Sequence, residues 1–287
     1  MNKKYTAKEL DLLHAELYDI LGETIRICRK HDIPYFVIGG TAIGALYDRA
    51  ILPWDDDIDI GMARKDYNRF LEVAPRELGD SYFLSWIETD PHSPYYYAKV
   101  KKNNTLFVEE MFKNVPMHPG IFVDIFPFDR IPDNKLLRKL QYDAAGFLKC
   151  CLMGKEIWMW KHFGKCEIEH PTDRGAFSCF LNKAVDVLFS KKTIYRMLVA
   201  VQSCFNSWNT KYYNNVMTTT DHVTGESLRH LQSVPFGPLT VNAPDNLEGF
   251  LRYNYPTLHR YTEEEQEKVN NHYPAALSFS TTPKQEL

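Results

Sequence analysis

The sequence predicts an α+β fold: a mixed β-sheet core with flanking helices, then a mainly helical C-terminal half. Three observations carry this reading. Apolar residues recur at three- and four-residue spacing over 7–30, short apolar or alternating runs recur between 35 and 127, and the helical pattern returns from 134 to about 207. With 287 residues, 44% of them hydrophobic, the chain can bury a full core as one large domain or a domain with a substantial appendage.

The elements follow in order. Thr6 and Glu9 form a capping-box pattern, and Leu10, Leu13, Leu17, Ile20, Thr24 and Ile27 then line one face, so 7–30 is an amphipathic helix. Ile33-Pro34 breaks it, and Tyr35-Phe36-Val37-Ile38 reads as a short apolar strand running into Gly39-Gly40. Thr41 is the expected cap of a short second helix, 42–47. An acidic strand follows at 55–61, then a helix opening at Lys65-Asp66-Tyr67. Further strands are expected at 82–86, 95–101 and 105–109, with Asn103 and Asn104 turning between the last two. An almost wholly apolar strand, 120–127, is interrupted once, by Asp124.

Composition excludes several classes. The 37 acidic and 34 basic residues leave a net charge of -3, so no global polycation is present to hold nucleic acid. No apolar run approaches the roughly 18 residues of a membrane span, and the first residues lead into a charged helix, so a cytoplasmic protein is expected. Six cysteines are too sparse for a disulfide scaffold in a chain of this length. Cys150, Cys151, Cys166 and Cys179 lack the paired Cys-x-x-Cys spacing of most zinc sites, which favours buried thiols. Residues 135–165 carry seven Lys or Arg against Asp143 and Glu156. That segment reads either as a solvated helix face or as a surface for an anionic, lipid-linked acceptor at the inner face of a membrane.

The chemistry concentrates at Trp54-Asp55-Asp56-Asp57-Ile58-Asp59-Ile60-Gly61. Two-residue alternation places Asp55, Asp57 and Asp59 on one face and turns Asp56 to the other. Two ionised carboxylates about 4 Å apart repel by roughly 4 kcal/mol at an effective dielectric near 20, so the run needs a compensating charge, which a divalent cation supplies. A lone Asp124 in an apolar strand is protonated, hydrogen-bonded or a metal ligand, since an unpartnered buried carboxylate does not stay ionised. An oxygen-rich cluster of this kind suits Mg²⁺ or Mn²⁺ with phosphate oxygens in the remaining positions. The Gly39-Gly40-Thr41 turn, where the backbone N–H groups are uncovered, would face those phosphates.

These residues carry a family resemblance. Gly39-Gly40-Thr41, Pro53-Trp54-Asp55-Asp56-Asp57-Ile58-Asp59-Ile60-Gly61, Lys65-Asp66-Tyr67, Lys99 before Asn104-Thr105, and Gly120-Ile121-Phe122-Val123-Asp124-Ile125-Phe126-Pro127 resemble the LicD family, which includes the fukutin-related proteins. A weaker echo appears at Phe236-Gly237, Pro244, Leu251, Tyr253 and His272. The resemblance covers about 20–130 and implies a nucleotidyltransferase-like core. It implies a Mg²⁺-dependent enzyme that moves a phospho-alcohol, phosphocholine foremost, from a CDP-linked donor such as CDP-choline to a hydroxyl of a glycan or lipid-linked glycan (lipopolysaccharide, capsule or teichoic acid). Asp57, Asp59 and Asp124 are then the catalytic metal ligands, with Asp55 assisting. In-line attack of a sugar hydroxyl on the distal phosphorus would release CMP. Gly39, Gly40, Thr41, Arg49 and Lys99 would meet the donor phosphates. Two departures stand out: Tyr47 where many members carry Arg, with Arg49 nearby, and Tyr253-Asn254 where many carry Tyr-Gly.

The expected organisation is a catalytic core over 1–130, a mainly helical acceptor- or donor-side region over 131–273 and a flexible tail over 274–287. Trp54, Tyr95, Tyr96 and Tyr97 are candidates to cage a choline ammonium. The alternative function is a metal-dependent sugar-nucleotide glycosyltransferase reading Asp57-Ile58-Asp59 as its Asp-x-Asp motif, although that class places the motif after a dinucleotide-like βα half. An EF-hand count over Asp55, Asp57, Asp59 and Asp66 meets Ile60 where the loop needs Gly. A non-catalytic descendant of the fold would have little reason to keep Asp57, Asp59 and Asp124.

Overall fold

The computed structural model describes residues 4–163, 185, 187–267, 269 and 273–280. Helix α1 (Ala7–Lys30) begins at the expected capping box: the Glu9 N–H donates to Thr6 Oγ1 at 3.2 Å and the Thr6 N–H to Glu9 Oε2 at 2.8 Å. Its stripe of Leu13, Leu17, Ile20, Leu21 and Ile27 is fully buried, and the helix packs on the sheet.

The sheet runs β1 (Phe36–Val37), β2 (Asp59–Ala63), β6 (Phe122–Ile131), β4 (Ala98–Lys102), β3 (Tyr82–Ser85). Strands β2 and β6 are parallel and the other neighbours on this path antiparallel. Helix α2 (Gly39–Tyr47) links β1 to β2, and α3 (Arg64–Glu77) follows β2. Gly61 is where two rings meet: Phe36 and Phe128 stack edge to face at 4.9 Å, and a Cβ at Gly61 would lie 2.7 Å from one and 2.8 Å from the other.

Strand β6 is longer than the apolar run suggested. It pairs with β4 only through Ile125, and from Asp129 to Ile131 it pairs on with β7 (Tyr212–Asn214). Pro127, which has no N–H to give a ladder, falls in the gap between these two partners. The strand expected at 95–101 starts only at Ala98. Asn103 and Asn104 do turn the chain, Asn104 with φ +60°, yet they close no hairpin: β5 (Leu106–Val108) pairs with β11 (Ala276–Ser278). Residues 276–278 therefore belong to a sheet, where a loose tail was expected.

The helical segment appears as α4 (Lys135–Phe163) and α5 (Lys191–Ser203), packed together over a second core of Ile87, Tyr96, Ile131, Leu148, Leu152, Ile194 and Leu198. A buried ion pair ties this layer to the first. Arg64 donates to Asp129 through Nε at 3.0 Å and Nη2 at 2.5 Å, Gln202 accepts from Arg64, and Asn206 donates to Asp129. Beyond α5 the chain returns to strands, against the expectation of a helical region to 273. Strand β8 (Val223–Thr224) pairs with β7, the β9 (Gln232–Phe236) and β10 (Leu239–Ala243) hairpin packs beside β1 and α2, and short helices α6 (Gly225–Arg229), α7 (Leu247–Asn254) and α8 (Glu263–Glu267) intervene. Among the described residues no helix is long and apolar enough to cross a membrane. His272, Lys165, Cys166, Cys179, Leu181 and the final seven residues lie outside the described set.

Candidate active site

Register builds the centre of the site. Asp59 on β2 stands beside Asp124 on β6, and Lys99 on β4 stands opposite Asp124 on its other side. Residues in one row of a pleated sheet project from one face, so two carboxylates and an ammonium are neighbours by strand pairing alone. The Asp124 N–H donates to Ile58 O at 2.9 Å, which fastens the end of the acidic loop to β6.

That loop is where the sequence reading needs correction. Residues 55–58 are irregular and β2 begins only at Asp59, so the two-residue period does not govern Asp55, Asp56 and Asp57. Oxygens of all three lie within 4.8 Å of one another. Asp56, expected on the opposite face, joins the cluster while accepting from the Tyr5 hydroxyl at 2.9 Å. His14 Nε2 holds the Asp55 carbonyl oxygen at 2.8 Å.

The crowding shows in the proton affinities. Burial first, then Asp57 and Asp56, pushes the Asp55 carboxyl up to about 8. Burial, then Asp57, Asp124 and Asp55, holds Asp59 well above the usual carboxylate range, although part of its surface reaches solvent. Burial raises Asp124 to about 6, with Lys99 opposing the shift. Asp124 Oδ1 lies 2.8 Å from Lys99 Nζ, yet the aligned hydrogen bond goes to Oδ2 at 3.1 Å, and Oδ1 is buried without a donor directed at it. An all-oxygen cluster of mutually repelling carboxylates fits a hard divalent cation.

The glycines make room for these carboxylates. A Cβ on Gly40 would lie 2.5 Å from Asp55 Oδ2, and one on Gly39, where φ is +55°, 3.4 Å from Asp59 Oδ2. Thr41 caps no helix. Helix α2 already starts at Gly39, and Thr41 Oγ1 accepts from the Asp59 N–H at 2.8 Å, so it positions the acidic strand. The Gly39 N–H donates to Asp221 Oδ1 at 3.3 Å, and the Tyr255 hydroxyl donates to the same oxygen at 3.0 Å. Asp221 was not foreseen: it lies 182 positions downstream in a polar run that carries no signal of this contact.

Arg49 and Lys99 separate. Arg49 follows the far end of α2, about 13 Å from Gly39 for a nine-residue helix, and lines a different groove of about 460 Å³ with Ala45, Leu46, Gln232 and Leu247. The rise of the helix between them sets Arg49 at this other groove, whose lining includes none of the carboxylates. Lys99 is only 1% exposed, and its ammonium sits 3.4 Å from the Phe122 ring centre, 4.1 Å from Tyr95 and 5.4 Å from Tyr97. Two of the four aromatic residues expected to cage a choline thus enclose a lysine of the chain. Tyr96 lies in the second core, and Trp54 stacks on Tyr261 with ring centres 5.7 Å apart. Among the described cysteines, Cys28 and Cys151 are buried as expected, Cys150 is half-buried and Cys204 is exposed.

A family profile described as "LicD/FKTN/FKRP, nucleotidyltransferase domain" matches residues 32–147. The chain is 29% identical over 196 residues to the lipopolysaccharide cholinephosphotransferase LicD of Haemophilus influenzae, covering 66% of each chain. It is 27% identical over 140 residues to an uncharacterised protein of Rickettsia typhi, covering 49% of this chain and 42% of that protein. A protein of Rickettsia prowazekii, also uncharacterised, is 33% identical over 60 residues, or 21% of this chain and 23% of that one. Each match spans less than two thirds of the relative concerned. Gly39, the acidic run, Lys99 and Asp124 all fall within 32–147, the segment that matches the LicD nucleotidyltransferase-domain profile.

Proposed function

We propose that this protein transfers a phospho-alcohol, phosphocholine foremost, from a CDP-linked donor to a hydroxyl of a cell-surface glycan. One observation carries the reading: the acidic loop, Asp59 and Asp124 converge beside a glycine-started helix, with more negative charge than Lys99 offsets. The similarity to a lipopolysaccharide cholinephosphotransferase supports choline phosphate as the group moved and a glycan as its acceptor.

In this proposal Asp55, Asp57, Asp59 and Asp124 hold Mg²⁺ (or Mn²⁺). Once bound, such an ion neutralises phosphate charge and lowers the proton affinity of an attacking hydroxyl. The chain's own residues do the rest. Thr41 fixes the height of Asp59 through its backbone N–H, His14 and Tyr5 anchor the loop carrying Asp55 and Asp56, and Gly39 and Gly40 keep the space before the carboxylates open. Lys99, sealed by aromatic rings, offsets part of the charge on Asp124 and so serves the site from below, in place of the phosphate contact first assigned to it.

A core over 1–130, an acceptor- or donor-side region over 131–273 and a cytoplasmic location belong to the same proposal. So does contact of α4 with a membrane, which the exposed Leu136 and Leu140 beside Lys135 and Lys139 support. The test is thermal stabilisation by Mg²⁺ together with CDP-choline, CDP-ribitol or UDP-sugars, followed by assay of CMP release. Stabilisation and CMP release with a CDP-alcohol are expected. Stabilisation by UDP-sugars alone would replace this reading with that of a glycosyltransferase.

A further inference from the structure

Asp221 touches the site and His222 follows it, leading away to a cluster that the reaction described so far does not use. The Tyr212 and Tyr253 rings stack at 5.5 Å with planes 11° apart, and His222 stands edge-on to both, at 6.1 and 6.4 Å. Tyr142 reaches His222 Nε2 at 3.4 Å. Lys211 Nζ lies 4.9 Å from the Tyr212 ring, and the Arg138 charge acts on Tyr142, Tyr212, His222 and Tyr253 alike. Among the described residues no ion pair involves either cation; Arg138 donates through Nε to the Pro132 carbonyl at 2.9 Å, and Lys211 hydrogen-bonds the Tyr212 side chain.

The cluster is built and held in place. Asn254, at the family's Tyr-Gly position, brackets the His222 backbone: its Oδ1 accepts from the His222 N–H at 2.8 Å and its Nδ2 donates to the His222 carbonyl at 3.1 Å. That grip fixes His222 to α7, the helix that presents Tyr253. It also fixes the spacing between the cluster and Asp221, whose carboxylate meets the Gly39 N–H on the side of Asp59. Glycine at 254 could not do this. Tyr253 is 55% exposed, so the stacked pair lies at the surface where a ligand can reach it.

We propose that Tyr212, His222 and Tyr253, with Arg138 and Lys211, form the subsite for an anionic saccharide, the acceptor of the transfer. Flat rings offer an apolar surface to the C–H face of a pyranose, while guanidinium and ammonium groups with no carboxylate partner bind phosphate or carboxylate substituents. The acceptor role rests on the proposed function; the binding role does not.

Calorimetric titration of the full chain with glucose 6-phosphate, glucose and inorganic phosphate tests binding. Glucose 6-phosphate is expected to bind about tenfold more tightly than either part, and Tyr253→Ala and Lys211→Glu each to weaken it about tenfold. Equal affinities in wild type and both variants would overturn the subsite. With CDP-choline as donor and a phosphorylated oligosaccharide as acceptor, the same variants should raise acceptor KM about tenfold and leave donor KM within about twofold. A rise confined to donor KM counts against the subsite. If the wild type releases no CMP from CDP-choline, the proposed function fails and the titration still decides the subsite. Loss of binding to phosphatidylserine vesicles in the variants, with saccharide binding intact, would make this face a membrane contact and overturn the proposal.

Discussion

The ammonium of Lys99 stands 2.8 Å from Asp124 Oδ1 and 3.4 Å from the centre of the Phe122 ring, closed off from solvent. Strand register sets the pair, since Lys99 and Asp124 are opposite residues of β4 and β6. Removing one member of a buried ion pair strands the other. Lys99→Met should therefore cost about 3–5 kcal/mol of stability, and adding Asp124→Asn to it should recover part of that loss. Urea denaturation of the two single variants and the double variant measures the coupling; additive losses would show that the pair does not act as one.

Asp59 and its neighbours store repulsion that binding would use. Asp59→Asn removes a charge that burial, Asp57, Asp124 and Asp55 all disfavour, so the metal-free protein should melt at a higher temperature than wild type at pH 8. CMP release should nevertheless fall by about 100- to 1,000-fold, the scale expected when one preorganised electrostatic contact is lost. Asp57→Asn should behave alike in turnover. Full activity in either variant would remove these residues from the metal set.

Gly40 is a spatial requirement. Gly40→Ala places a methyl 2.5 Å from Asp55 Oδ2 and forces the acidic loop outward. Overpacking of this kind costs about 1–3 kcal/mol. The larger effect should fall on Mg²⁺ binding, read as a weakened thermal shift at fixed metal concentration. An unchanged metal response would mean that Asp55 is not a ligand.

Lys101 gives a pH signature away from the carboxylates. Burial lowers its ammonium from the ordinary 10.5 to about 8, with Lys99 adding to the effect, and its Nζ donates to the His118 carbonyl. Between about pH 8 and 10.5 the unfolded chain binds more protons at this site than the folded one, so folding stability rises with pH there. Below that window the buried charge burdens the fold. In Lys101→Met this dependence is absent, so the melting temperature of wild type relative to the variant should increase between pH 7.5 and 10. A difference that stays flat would place the Lys101 pKa at its ordinary value.

Much was legible without the fold. The capping box and three-to-four spacing of α1, the helical character of 135–163, the acidic run and the lone Asp124 were read from local pattern, because periodicity reports which face of an element is buried. The same logic failed for Asp55, Asp56 and Asp57: alternation of acidic and apolar residues looks the same in a strand and in a loop pinned by Tyr5 and His14. It failed again for Tyr95 and Tyr97, whose rings were free in sequence to take a ligand and in space take Lys99.

The sequence by itself determined the α+β class, the concentration of carboxylates at 55–59 and the likeness of this segment to the LicD domain. The tertiary structure alone decided that Asp59, Asp124 and Lys99 share one row, that Asp221 closes on Gly39 and that Arg49 stands apart. These are relations between segments up to 182 positions distant, set by strand register and helix length, and a one-dimensional pattern carries no term for either.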